Sequence, residues 1–364
     1  MSNRFIQTAT LAVVCSLCVT ACSDTNTPSG PGEDAFDPNQ TQAELQQVDA
    51  AFETPAFQSL AILGEHFGTS AGAAAAASAD LLLEAGPTNA PIADRARRAG
   101  DRLTQAYASA SASMAPIIPE DWLGRTYVYE AQAESYVHDP ELTDAPEDGI
   151  RFVLYAVNPV TRQIMADTEI GYADVRDVGG DNSTAIRLTV VSEDVTYLDY
   201  TITATGVINA PVFKIAGFIT DGEQQVDFTL VHSILVTIGN VQVGIDYDIT
   251  TSEDFSVTVD VTLTDGSQTN SVSVNVTLNH GPNTVVLEGD VVDGTGTLTV
   301  TGNGAVFAVI NLAPGSITVT DANGDPISQE TQDALHRIWQ VVEDVFDVFE
   351  NLFDPIEWLF NFAG

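Results

Sequence analysis

Between residues 255 and 278 hydrophobic and polar positions alternate. Phe255, Val257, Val259, Val261 and Leu263 fall on one face of an extended chain, and Ser256, Thr258, Asp260 and Thr262 on the other. After a turn at Asp265-Gly266, Val272, Val274, Val276 and Leu278 repeat the pattern. Side chains two apart share a face of a strand, so each strand here has one greasy side and one wet side. Strands of that kind belong to antiparallel sheets covered on a single face. From Thr126 to Thr320 the chain is rich in Val, Thr, Ile and Tyr, with turn residues recurring at roughly ten-residue intervals. No helical pattern separates these strands, which argues against βαβ crossovers and a parallel sheet. Phe152 to Val157 is apolar on both sides, which predicts a strand buried in the middle of the structure.

The period changes at both ends of this region. Thr41-x-x-Glu44 forms a capping box, followed by Leu45, Val48 and Phe52 at helical spacing. Pro55 interrupts that pattern, and a second helical stretch runs through Leu60 and Leu63. An Ala-rich helix is predicted from Ser70 to Glu84, and a fourth between Gly86-Pro87 and Met114. After Ser328, a candidate cap, Leu335, Ile338, Val342, Val345, Phe349, Leu352, Ile356 and Leu359 follow a helical spacing. Trp339, Phe346, Phe353 and Trp358 widen the stripe, while Glu343, Asp344, Asp347, Glu350 and Asp354 occupy the opposite arc. Pro355 should kink or restart this helix. So apolar a stripe needs cover, and the greasy face of the sheet supplies it.

These patterns predict an α+β protein. Residues 41–115 form a helical region, and 116–327 a large antiparallel β-meander, as a curved sheet or half-barrel. Residues 328–364 form a C-terminal amphipathic helix that packs on the sheet. Ser23 to Gln40 is polar, acidic and contains Pro and Gly, so residues 22–40 read as a flexible acidic tether.

Charge narrows the partners. Of 364 residues 51 are Asp or Glu and 12 are Lys or Arg, a net charge of -39, and Lys214 is the one lysine. Nucleic-acid binding depends on cationic side chains, and so does electrostatic docking on anionic lipid, so both are excluded as expectations. A hydrophobic content of 44% is that of a folded chain with a sizeable core. Such acidity suits solubility, including in a saline habitat where self-repulsion is screened.

The first residues read as an export signal. Arg4 precedes an apolar run from Leu11 to Val19 that is too short to span a bilayer. Val19-Thr20-Ala21-Cys22 resembles the lipobox of bacterial lipoproteins. The resemblance implies removal of residues 1–21 and acylation of Cys22, with acyl chains anchoring the chain to a membrane. Cys15 and Cys18 then leave with the signal, so no intrachain disulfide remains to the mature chain. In that family Asp directly after the cysteine retains a lipoprotein in the inner membrane; here the residue is Ser23, which favours the outer membrane.

Candidate chemistry is sparse. Gly68-Thr-Ser70-Ala-Gly72 matches the nucleophile elbow G-x-S-x-G, but that elbow needs a strand before it and an acid and a histidine after it. The preceding residues read as helix, and His138, His232, His280 and His336 are lone. Asp321, Asn323 and Asp325 alternate like the start of a calcium loop, yet Pro326 stands where glycine is needed and Gln332 where the bidentate Glu belongs. Asn323-Gly324 therefore predicts a tight hairpin turn. Asp246 and Asp248 share the polar face of a strand. Arg95, Arg98 and Arg102 share a helix face, with Arg97 beside them. They form a candidate anion-docking site, against the alternative that they neutralise acids of the same chain. No cofactor motif or metal cluster stands out.

The expected function is that of a non-enzymatic, lipid-anchored envelope protein binding a lipid or other hydrophobic ligand between sheet and helices. Such an architecture broadly looks like the half-barrel proteins that carry lipids or lipoproteins across the periplasm. The alternatives are a component of an outer-membrane β-barrel, whose strands alternate with the same period, and a serine hydrolase using Ser70.

Overall fold

The structure is a computed structural model that describes residues 48–67, 117–180, 183–207, 209–251, 254–267, 269–314 and 316–362. The lipobox with Cys22, the tether, Ser70 and the arginines at 95, 97, 98 and 102 lie outside the described residues.

Fifteen strands form a single sheet. They are β1 (Arg125–Glu130), β2 (Ser135–His138), β3 (Gly149–Val157), β4 (Ile164–Asp177), β5 (Thr184–Ser192), β6 (Val195–Val207), β7 (Ala210–Thr220), β8 (Gln225–Thr237), β9 (Asn240–Thr251), β10 (Phe255–Gly266), β11 (Asn270–His280), β12 (Asn283–Val292), β13 (Thr295–Gly302), β14 (Ala305–Ala313) and β15 (Ser316–Thr320). From β3 to β15 every strand pairs with the next in antiparallel register, so the sheet is a meander. Its two ends, β2 and β15, do not meet, and the sheet is open.

Two details depart from the sequence expectation. Arg125, Thr126 and Tyr127 of β1 pair in parallel with Ile150, Arg151 and Phe152 of β3. The link between them is the β1–β2 hairpin and a loop, so the parallel pair needs no helical crossover. Phe152, Val153, Leu154 and Tyr155 are buried on both faces, as their composition requires. Their strand nevertheless lies third from the edge, not in the middle. There Phe67, Trp122, Tyr127 and Tyr136 assemble around Phe152, with ring centroids of Phe67 and Phe152 4.9 Å apart. Packing among these large rings keeps Phe152 buried although its strand lies near an edge.

The class is largely β. Among the described residues preceding the sheet, 48–52 are helical, and α1 (Pro55–Ala61) follows, then a short 3-10 turn at Gly64–His66. The helices expected at 70–84 and before Met114 lie outside the described residues, and the helices that cover the sheet among the described ones are few. Thr54 caps α1, accepting from the Phe57 N–H at 3.3 Å, and Pro55 occupies its first turn, where the missing N–H costs nothing. α1 packs against β3 to β6. Beside a bulge in β4, where Leu154 and Tyr155 pair with Gly171 and Glu169 and Ile170 is the extra residue, the Tyr155 N–H is taken up by the buried Ser59 hydroxyl at 3.2 Å.

α2 (Gln329–Phe362) is a single 34-residue helix. Ser328 caps it, its hydroxyl accepting from the Thr331 N–H at 3.2 Å. Contrary to the expectation of a restart, the helix runs through Pro355. Ile338, Val345, Phe346, Val348, Leu352 and Phe353 are buried and belong to one hydrophobic cluster with the sheet and α1.

Candidate functional site

The layer between sheet and helix is built by the alternation of the strands. On β10 Phe255, Val257, Val259 and Val261 are buried, and on β11 Val274, Val276 and Leu278, as their phase predicts. The same face continues through Leu198, Tyr200, Ile202 and Ala204 on β6 and Ile245, Tyr247 and Ile249 on β9. The outward face is polar. On it Asp246 stands opposite Asp260, and Asp248 opposite Thr258. Arg151 forms a two-pronged ion pair with Asp174 at 2.7 and 2.8 Å and lies over the Tyr172 ring; Arg187 does likewise with Asp199 at 2.8 and 2.6 Å.

Three residues with polar tips in the apolar layer, His232, Tyr247 and Tyr200, bear on its chemistry, and sequence reasoning singled out only His232, without a context. His232 on β8 is in phase with Phe228, Leu230 and Ile234, and Tyr247 is in phase with Ile245 and Ile249. That phase, readable in the sequence, is the signal that places both inside. They share a hydrogen bond between Nε2 and the phenolic oxygen. Burial holds the histidine at about 3, well below its ordinary value. Burial also pushes Tyr247 upward, helped by the Glu350 carboxylate. Both groups are therefore neutral near pH 7, and a pair so far from neutrality in its titration is poorly suited to acid–base catalysis. The Tyr247 ring also packs against Phe346 of α2, with centroids 5.6 Å apart.

Tyr200 is the third. Its hydroxyl donates to the Leu352 carbonyl of α2 at 2.6 Å. The neighbouring Asn351 carbonyl is the one that Pro355 deprives of its helical N–H partner.

The remaining candidates are dispersed. His138 is exposed on β2, His280 ends β11 beside Phe255, and His336 lies exposed on α2. No group of three potential metal ligands occurs among the described residues. Asp321 closes a five-residue loop, wider than the predicted Asn-Gly hairpin turn: its carboxylate accepts from the N–H groups of Asn323 and Asp325 at 2.8 and 2.9 Å. These bonds hold its carboxyl below the usual range. Among the described residues no helix is long and apolar enough to cross a membrane.

No family model matches the chain, and neither a curated protein nor a solved structure is significantly similar to it.

Proposed function

We propose that the chain is a lipid-anchored envelope protein, held at the outer membrane by acyl chains on Cys22, whose non-enzymatic task is to hold a hydrophobic ligand between the sheet and α2. The observation that carries the reading is the pairing of a continuous apolar sheet face with one amphipathic helix that reaches it through Tyr200–Leu352 and Tyr247–Phe346. The ligand class is a lipid or another long apolar molecule, which takes over the contacts of the helix as the helix moves aside.

Inward curvature of the sheet would suit that task, and three glycines permit it. Gly171, Gly217 and Gly289 all fall in phase with the buried face. At each of them a Cβ would come within 2.0–2.1 Å of a carbonyl oxygen on the adjoining strand. Glycines at such approaches let a sheet coil, and a coiled open sheet is a half-barrel. The outward face carries Asp246, Asp248, Asp260 and Glu288, which favours this reading over a membrane-spanning barrel, whose outward face is apolar.

The test is lipid mass spectrometry on the chain released from membranes, followed by titration with a fluorescent fatty acid while hydrogen exchange is followed in α2. The expected result is bound lipid that survives gel filtration, and faster exchange over 345–353 on titration. Absence of both lipid and fatty-acid binding overturns the proposal.

A further inference from the structure

The chain contains two Asn-Gly pairs, Asn303-Gly304 and Asn323-Gly324. The backbone nitrogen that follows an asparagine can attack the carbon of the side-chain amide, which makes asparagine a labile residue. Glycine favours the attack, because it has no Cβ to hold its nitrogen off and reaches backbone conformations closed to other residues. By sequence alone the two pairs are equivalent. All four residues are exposed, so access of water does not separate them either.

What holds each side chain differs. Asn303 and Gly304 form the two-residue turn between β13 and β14, both at positive φ, 49° and 80°. The Asn303 amide is bound at both its atoms to β12: its oxygen accepts from the Thr284 N–H at 2.8 Å, and its nitrogen donates to the Asn283 side-chain oxygen at 3.1 Å. Its backbone N–H donates to the Thr284 carbonyl at 2.8 Å. To turn toward Gly304, this amide must give up two bonds to another strand. Asn323 lies in the loop after β15, and its bonds run to Asp321 of the same loop. Its N–H donates to one carboxylate oxygen at 2.8 Å and its side-chain nitrogen to the other at 3.3 Å. The Gly324 N–H donates to the Asp321 carbonyl at 3.1 Å. A contact of 3.3 Å lies beyond the usual range for such a bond, so the Asn323 amide turns at little cost.

We infer that Asn323 is a site of spontaneous covalent modification, converted to aspartate and isoaspartate in the folded chain, and that the clamp from β12 protects Asn303 from the same reaction. The Gly324 nitrogen bonds to Asn323 Cγ as its proton passes to solvent. The Cγ–Nδ2 bond then breaks, and ammonia leaves with a proton from water. A water molecule opens the resulting cyclic imide at either of its carbonyls, giving aspartate or isoaspartate, and nothing is oxidised or reduced. The product adds a carboxylate between those of Asp321 and Asp325. Its isoaspartyl form also adds a methylene to the backbone of the loop that joins β15 to the Ser328 cap of α2.

The test is incubation of the full chain at mildly alkaline pH, folded and in urea, with mass spectrometry of its fragments to follow the change from amide to acid at each site. An enzyme that methylates isoaspartate identifies the isomer. In the folded chain Asn323 should convert about tenfold or more faster than Asn303, the ratio expected when two bonds of ordinary net strength hold one amide and not the other. In urea the two rates should converge, because the sequence pairs are the same. Asn283→Ala, which removes one of the two bonds, should speed conversion at Asn303 severalfold and leave Asn323 unchanged. Equal rates in the folded chain, or a faster rate at Asn303, overturn the inference. So does an Asn323 that stays intact in the folded chain while both sites convert in urea. An Asn303 rate unmoved by Asn283→Ala overturns the protective role of the clamp.

Discussion

The Tyr200 hydroxyl donates to the Leu352 carbonyl at 2.6 Å, joining the sixth strand to a helix 152 residues further along the chain. Both partners are almost fully buried. Tyr200→Phe removes a buried hydrogen bond between sheet and helix, and the expected loss is about 0.5–1.5 kcal/mol. Urea denaturation measures it. Hydrogen exchange should accelerate over 345–353 before it does elsewhere in the sheet; uniform acceleration would show that the bond serves the fold as a whole rather than the seating of the helix.

His232 sets a pH dependence. Burial holds it at about 3, while the unfolded residue titrates near 6.5. Between these values the unfolded chain binds a proton that the folded chain refuses, so stability falls as the pH drops through this window. The contribution is complete above the unfolded value and is lost by the time the folded value is reached, at up to about 1.4 kcal/mol per pH unit. His232→Gln keeps a polar partner for Tyr247 without the titration. The wild-type chain should therefore lose more stability than the variant between pH 7 and pH 4.5, and parallel profiles would sink the assignment.

Gly217 on β7 stands opposite Tyr200 on β6. A Cβ there would lie 2.1 Å from the Asp199 carbonyl oxygen and 2.5 Å from the Tyr200 Cα, both backbone atoms that cannot swing aside. Gly217→Ala should cost about 1–3 kcal/mol or more by overpacking. Gly180→Ala, whose nearest neighbour would be the Ser183 hydroxyl at 3.8 Å, should be close to neutral. Thermal melts of the two variants provide the comparison.

Asp49 reports on the excess of acid. Partial burial first, and then the nearby Glu53 and Asp347, raise its carboxyl above the ordinary value. A raised folded value means that stability is greatest while the group is protonated and is lost as the pH rises through that value. Asp49→Asn should therefore raise the melting temperature slightly at pH 7, the effect being small because the residue is exposed to water. Salt acts in the same direction by screening. Molar salt should stabilise the wild-type chain more than the variant, and a wild-type melting temperature unchanged by salt would refute the repulsion.

The candidate site was only partly legible in the sequence. The phases of Phe255 to Val261 and of Val274 to Leu278 identified the buried face correctly, because alternation alone decides which side chains share a face. The stripe from Ile338 to Phe353 likewise identified the face of α2 that the core receives. His232 was visible only as a lone histidine. Its chemistry depends on Tyr247, which lies 15 residues away and reaches it across a strand pair. Pro355 signalled a break, yet helix continues on both sides of it within a buried layer that also supplies Tyr200.

By itself the sequence determined the period of each element, the wet and greasy faces, the acidic surface and the resemblance of residues 19–22 to a lipobox. These are local properties, set by side-chain chemistry at spacings of two to four residues. Tertiary structure alone decided the order of the strands, the parallel pair of β1 and β3, the place of Phe152 near an edge and the meeting of Tyr200 with Leu352. Pairing and docking satisfy groups far apart in the chain, and periodicity carries no record of which distant partner is chosen.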